Sequence, residues 1–150
     1  MTPFADNSIA ELSIRAETVE VRRASAWLEQ ASLDRGVPPE EIARIELCLN
    51  EALANVISHS GNEVLSSPIS LQFQVHRDQS ANAATLMVSD SGTPFDPFSI
   101  SPQPRPKTLA EAEPGGLGLL MMRNLADKAS YRYLDGRNQI TFSVHWAEGQ

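Results

Sequence analysis

The sequence predicts an α+β fold: a two-layer α/β sandwich with its helices gathered on one face of a mixed, mostly antiparallel sheet. Two helical patterns stand together near the start, two strictly alternating runs follow, and a hairpin pattern closes the chain. Elements in the order β, α, α, β, β, α, β, β segregate into two layers, because each helix must bury one stripe and each strand one face. At 150 residues, with 41% hydrophobic and 21% charged, the composition is that of one ordinary globular domain spanning 1–150.

Residues 11–17 (ELSIRAE) alternate apolar and polar and read as a short strand. From about 19 to 33, Val21, Ala24, Trp27, Leu28 and Ala31 fall at helical spacing, and Gly36 stops that helix. Pro38-Pro39 followed by Glu40-Glu41 opens a second helix that runs to about residue 60. Its stripe is Ile42, Ile45, Leu49, Ala52, Val56 and Ile57, and Gly61-Asn62 ends it. In 69–76 (ISLQFQVH) the apolar residues Ile69, Leu71, Phe73 and Val75 alternate with polar ones, so one sheet face is buried and the other wet. The run 84–89 (ATLMVS) reads as its antiparallel neighbour. From 93 to 114 the periodicity collapses, and six of the ten prolines fall there. A loop of that length inside a compact domain reads as a functional lid (about 93–115) or as a disordered stretch. A third helix follows from 119 to about 128, then a hairpin, 130–135 and 139–146, joined near Asp135-Gly136.

Three segments carry chemistry. On the second helix Glu51, Asn55 and His59 are four apart and form one polar line beside the apolar stripe. A carboxylate one turn from an amide can take a proton from a hydroxyl and offer an oxygen to a hard cation. Taken alone, the pattern favours partly exposed helix polars bonded at i,i+4. The second segment is VSDSGTPFDP. Asp90 at a strand end can accept from an exocyclic amino group, and Gly92 lets a flat ring lie against backbone. An ordinary Asp-Ser-Gly turn has the same sequence. The third, PGGLGL, places Gly115, Gly116 and Gly118 with Leu117 and Leu119 directly before a helix. Its backbone N–H groups and dipole suit phosphates. Three glycines are more than a hinge needs, and the lysine and hydroxyl residue of a P-loop are missing.

A net charge of −7 argues against direct nucleic-acid binding, which calls for a basic face. No apolar run approaches the roughly 20 residues of a membrane helix. The N-terminus shows no basic region leading into an apolar stretch, and the lone Cys48 cannot form an internal disulfide. The expectation is a cytoplasmic protein whose partners are proteins and small molecules.

The order and spacing of the three segments resemble the GHKL nucleotide-binding superfamily of gyrase, heat-shock chaperone, histidine kinase and mismatch-repair ATPases. NEALANVISH, VSDSGTPFDP and PGGLGLLMMRNLAD are most similar to the anti-sigma-factor serine kinases, and the likeness spans nearly the whole chain. It implies a Bergerat-type ATP-binding fold with ATP and Mg²⁺ as cofactors. Glu51 is implied as the general base for a substrate serine, and Asn55 as a Mg²⁺ ligand. Asp90 is implied as the acceptor for the adenine amino group, with Gly92 giving the ring room. Gly115, Gly116, Leu117, Gly118 and Leu119 are implied as the phosphate wrap beneath the lid. Arg105 and Lys107 are the lid's cations, candidates for the γ-phosphate or for solubility alone. Thr141 is a candidate water-mediated contact at the adenine end. His59 and Glu46 read as structural or solvated residues, and Phe95 as packing beneath the loop.

The implied activity is that of a serine/threonine protein kinase in a partner-switching system. Such a protein phosphorylates a STAS-fold anti-sigma-factor antagonist and binds a sigma factor or another regulatory target in its other state. A homodimer is also implied, and Arg22, Arg23 and Trp27 are candidates for a partner surface or, for Trp27, the core. The alternatives are a catalytically silent ATP-binding module that sequesters a partner, against which both Glu51 and Asn55 count, and an ATPase without a protein substrate. The short length and the early first strand favour the anti-sigma type over histidine kinases, which carry a dimerising helix pair, and over the larger ATPases.

Overall fold

The computed structural model describes residues 8–59, 68–78, 81–98 and 125–147. The elements are β1 (Ala10–Ile14), α1 (Thr18–Asp34), α2 (Pro39–His59), β2 (Ile69–Arg77), β3 (Asn82–Asp90), β4 (Lys128–Leu134) and β5 (Arg137–Trp146). The strands form one five-stranded sheet in the order β1-β2-β3-β5-β4. Every described pairing is antiparallel, so the expected mixed character narrows to a wholly antiparallel sheet. After β3 the chain returns at the sheet edge as β4, and β5 then turns back into the gap between β4 and β3.

Local sequence explains most boundaries. Gly36 takes φ 72°, and the N–H groups of Gly36 and Val37 donate to the carbonyls of Leu33 and Ser32. That is a Schellman stop, which needs a left-handed residue after the helix. Asp135 (φ 54°) and Gly136 (φ 77°) make the two-residue turn between β4 and β5. A turn with both φ positive matches the twist of a hairpin, and Asp-Gly suits it. Two expectations shift. β1 ends at Ile14 rather than near residue 17, because the Glu17 N–H donates to the Arg15 carbonyl and the Arg15 N–H to Glu20 Oε1 as α1 begins. The third helix was expected to reach about residue 128; Leu125 is the last helical residue, and Lys128 already belongs to β4. The Asp127 N–H donates to the Ser143 carbonyl at 2.8 Å, drawing the chain into the sheet before another turn can form. The rest of that helix, and most of the expected lid, lie outside the described residues.

The core lies between the helix layer and one sheet face. Ile42, Ile45, Cys48, Leu49, Ala52, Leu53 and Val56 of α2 are buried against Phe73, Leu86 and Phe142, and Ala24 and Leu28 of α1 join them. Ile57, expected in the stripe, is only half-buried. Each of the large side chains contributes about 1.5–3 kcal/mol by leaving water. The other sheet face is polar and half-buried, with Thr85 and Ser143 sharing a hydroxyl hydrogen bond of 3.0 Å across the β3–β5 register. Among the described residues no helix is long and apolar enough to cross a membrane.

Candidate functional site

The alternation that buries Ala84, Leu86 and Val88 continues to the last residue of β3, and that residue is Asp90. It is therefore carried to the helix side of the sheet, 5% exposed, at the end of the core. A buried carboxylate needs donors. The Gly92 N–H supplies one at 2.8 Å to Oδ1, closing a tight Asx turn as the chain leaves the strand. The second comes from Asn138, which faces Asp90 across the β3–β5 register and donates from Nδ2 to Oδ1 at 3.2 Å. Both donors land on Oδ1; Oδ2 accepts nothing among the described residues.

Asn138 does more than hold Asp90. The same Nδ2 lies 3.2 Å from the Gly92 carbonyl and 3.0 Å from the Thr93 carbonyl. Its Oδ1 accepts from the Phe95 N–H at 3.0 Å and from the Tyr131 hydroxyl of β4. The Phe95 N–H also reaches the Tyr131 oxygen at 3.2 Å. One buried amide thus ties the start of the 91–98 loop to two strands. Burial pushes the Tyr131 hydroxyl above its ordinary value, with Asp96 and Asp90 adding to the rise and the Phe95 N–H opposing it. Tyr131 is therefore a neutral donor throughout the physiological range.

Above this network α2 presents Asn55 and Val56. Together with Asp90, Thr93, Phe95 and Ile140 they line a cleft between the helix and the end of the sheet. Asn55 is 4% exposed, and its Nδ2 is buried without a hydrogen-bond partner among the described residues. Glu51, half-buried, precedes Asn55 by one turn of α2. The structure thus brings together Asn55, Asp90 and Gly92, with Glu51 on the same helix, and Phe95 at the cleft wall.

Thr141 does not join them. In β5 the inward residues are Asn138, Ile140 and Phe142, so Thr141 faces the opposite side, opposite Met87 and Ser130 in the ladders. A strand's side-chain period of two decides this. Asn138, which the sequence pattern passed over, is the β5 residue that reaches Asp90; extending the alternation of QITFSVHW back by one residue marks it as inward. Glu46 is half-buried and does not line the cleft, in keeping with a structural residue. It sits between α1 and α2 beside Ser25, Glu29 and Asn50, with Oε1 buried and unbonded among the described residues. Burial raises its carboxyl above the usual range, and Glu29 adds to the rise. Trp27 packs partly buried against the core, while Arg22 and Arg23 are exposed. Arg105, Lys107, Gly115, Gly116, Leu117, Gly118 and Leu119 lie outside the described residues, as does the side chain of His59.

A family model described as histidine kinase-like ATPase domain matches residues 14–144. The serine/threonine-protein kinase BtrW of Bordetella bronchiseptica is 32% identical over 137 residues, covering 91% of this chain and 92% of its own. The serine-protein kinase RsbW of Bacillus subtilis is 25% identical over 122 residues, covering 79% and 74%. In fold, the chain is similar to the crystal structure of the RsbU and RsbW domains of Rv1364c from Mycobacterium tuberculosis. That likeness has a TM-score of 0.67 at 18% identity and spans 93% of this chain and 33% of the other. The chain belongs to the histidine kinase-like ATPase domain family, and within it to the serine/threonine-protein-kinase type represented by BtrW and RsbW.

Proposed function

We propose that the chain is a Mg·ATP-dependent serine/threonine protein kinase acting in a partner-switching system. In this reading it phosphorylates a STAS-fold antagonist and binds a sigma factor or another regulatory target in its alternate state. The observation that carries it is the meeting of Asn55 and Asp90, from different elements, in one cleft where the Asn55 Nδ2 has no hydrogen-bond partner among the described residues. An unpaired buried amide is costly unless a ligand completes it.

Asp90 Oδ2 would accept from the adenine amino group, and Gly92, buried behind it, leaves space for the ring. Mg²⁺ is held by one or two protein ligands together with phosphates and waters. The Asn55 amide oxygen fits that demand, and the ion would neutralise phosphate charge there. Glu51 stands about 6 Å back along the helix axis, one turn away. From there its carboxylate takes the proton of the substrate serine as the serine oxygen bonds to the γ-phosphorus and ADP leaves. Phosphoryl transfer needs positioning and charge neutralisation more than covalent chemistry, which matches so small a set of groups. Gly115, Gly116, Leu117, Gly118 and Leu119 would wrap the phosphates, with Arg105 as a candidate γ-phosphate contact. These assignments rest on sequence alone, as do the lid at about 93–115, the single domain over 1–150, the cytoplasmic location and the homodimer.

The test is phosphoryl transfer from labelled Mg·ATP to proteins of the source lysate, wild type against Glu51→Ala. A labelled band made by wild type alone supports the kinase and delivers its substrate. Nucleotide binding without any band points instead to a silent sequestering module. Equal labelling by both proteins removes Glu51 from the base role.

A further inference from the structure

We propose that Tyr131 is a positioning residue of the base pocket, acting through Asn138 on the carboxylate of Asp90; this rests on the reading of Asp90 as the acceptor for an adenine amino group. Tyr131 does not line the cleft. Its hydroxyl lies behind the pocket, on the edge strand β4, where it donates to Asn138 Oδ1 and accepts from the Phe95 N–H.

The effect of that hydroxyl follows from the donors and acceptors around one amide. With Oδ1 toward Tyr131 and the Phe95 N–H, the Asn138 nitrogen faces three acceptors: Asp90 Oδ1, the Gly92 carbonyl and the Thr93 carbonyl. A flipped amide would set an oxygen against those three and an N–H₂ against the Phe95 N–H, leaving every contact but the hydroxyl's repulsive. The Phe95 N–H and the three acceptors therefore select the orientation, the Tyr131 hydroxyl adds a second donor that holds Oδ1 in place, and the orientation fixes which oxygen of Asp90 is occupied. Oδ1 is held from two sides, by Asn138 and by the Gly92 N–H, and Oδ2 is left for the ligand. Removing the hydroxyl leaves Asn138 Oδ1 with the backbone donor alone. The carboxylate then loses part of the frame that aims it, though no group touching the nucleotide has changed.

The prediction separates a positioning role from a structural one by the nucleotide used. ATP carries the amino group that Asp90 would accept; inosine triphosphate carries a carbonyl oxygen at the same place. Affinities of the full chain for both are measured with wild type and Tyr131→Phe, which keeps the half-buried ring. The expected result is a loss of about 3- to 10-fold for ATP, the range of one hydrogen bond, with inosine triphosphate affinity unchanged. The ratio is taken on one protein sample, so it is insensitive to the folded fraction. Equal losses for the two nucleotides, or no loss for ATP, overturn the proposal while the adenine assignment stands. A wild type that binds both nucleotides equally overturns the adenine assignment, and the role of Tyr131 with it.

Discussion

Truncating Asn55 to alanine should stabilise the unliganded protein, which is opposite to the usual sign for a buried side chain. Asn55 is 4% exposed, and its Nδ2 has no partner among the described residues. Leaving such a group buried costs about 1–3 kcal/mol in desolvation. Asn55→Ala removes only the carboxamide and leaves Cβ, so no apolar carbon is lost from the core, and the space opens into the cleft. Alanine also gains up to about 0.7 kcal/mol of helix propensity inside α2. Against these stands the dispersion of three lost heavy atoms, so a net gain of about 1 kcal/mol is expected, and a domain of this size should then melt roughly 2–4 °C higher. The same variant should lose the nucleotide response. Ligand at 100 times its Kd stabilises by about 2.7 kcal/mol, so wild type should rise by roughly 5–10 °C with saturating Mg·ATP. Differential scanning fluorimetry with and without Mg·ATP reads both effects. A lower melting point for the unliganded variant would show that Asn55 makes a structural bond. An intact Mg·ATP shift would remove it from the ligand site.

Two further outcomes follow from buried groups away from the cleft. The Glu46 carboxyl is raised in the folded state by burial and by Glu29, so the fold binds its proton more tightly than the unfolded chain does. That contribution is present at low pH and lost as pH rises above the ordinary value of 4.5, so Glu46→Gln should raise the urea midpoint at pH 7.5 and change it little at pH 4; equal gains at both would refute it. Burial pushes the Cys48 thiol up to about 11, outweighing the opposing pull of Arg44, so the native protein should resist iodoacetamide at pH 8 and react only when unfolded; rapid alkylation without loss of structure would contradict the burial.

The fold was legible wherever local pattern and tertiary burial agree. Ile69, Leu71, Phe73 and Val75 alternate and are all buried, and Pro39 and Gly36 mark helix ends that the structure keeps. Boundaries moved where a contact distant in sequence competes with the local pattern. Lys128 joins a strand because the neighbouring Asp127 N–H is captured by Ser143, sixteen positions on, which no helical periodicity reports. The site divides in the same way. Asp90 and Asn55 stand out because an acid at a strand end and an amide on a helix line are local signals. Asn138 and Tyr131 do not, because their meaning lies in partners 36 to 48 residues away. Thr141, a candidate by resemblance alone, is set on the other face of β5 by the strand alternation.

Asn55 and Asn138 make the strongest joint test of this account, since burial alone would treat them alike. Both are 4% exposed and both border the cleft. Yet Asn138 bonds to Asp90, Gly92, Thr93, Phe95 and Tyr131, while the Asn55 amide nitrogen has no partner among the described residues. Asn138→Ala removes one donor from Asp90 Oδ1, from the Gly92 carbonyl and from the Thr93 carbonyl, and one acceptor from the Phe95 N–H and from the Tyr131 hydroxyl. Each hydrogen bond lost is worth about 0.5–1.5 kcal/mol, and water entering from the loop side offsets part, so a net loss of roughly 2–4 kcal/mol is expected. That corresponds to a fall of roughly 4–16 °C in melting point, against the rise expected for Asn55→Ala. Two chemically identical truncations at equal burial should therefore move stability in opposite directions. If both lower it, the unpaired amide of Asn55 is not held in reserve for a ligand, and the strongest support for the nucleotide cleft is gone. If the signs differ, the fold is holding one asparagine for structure and the other, at a cost in stability, for the molecule that binds there.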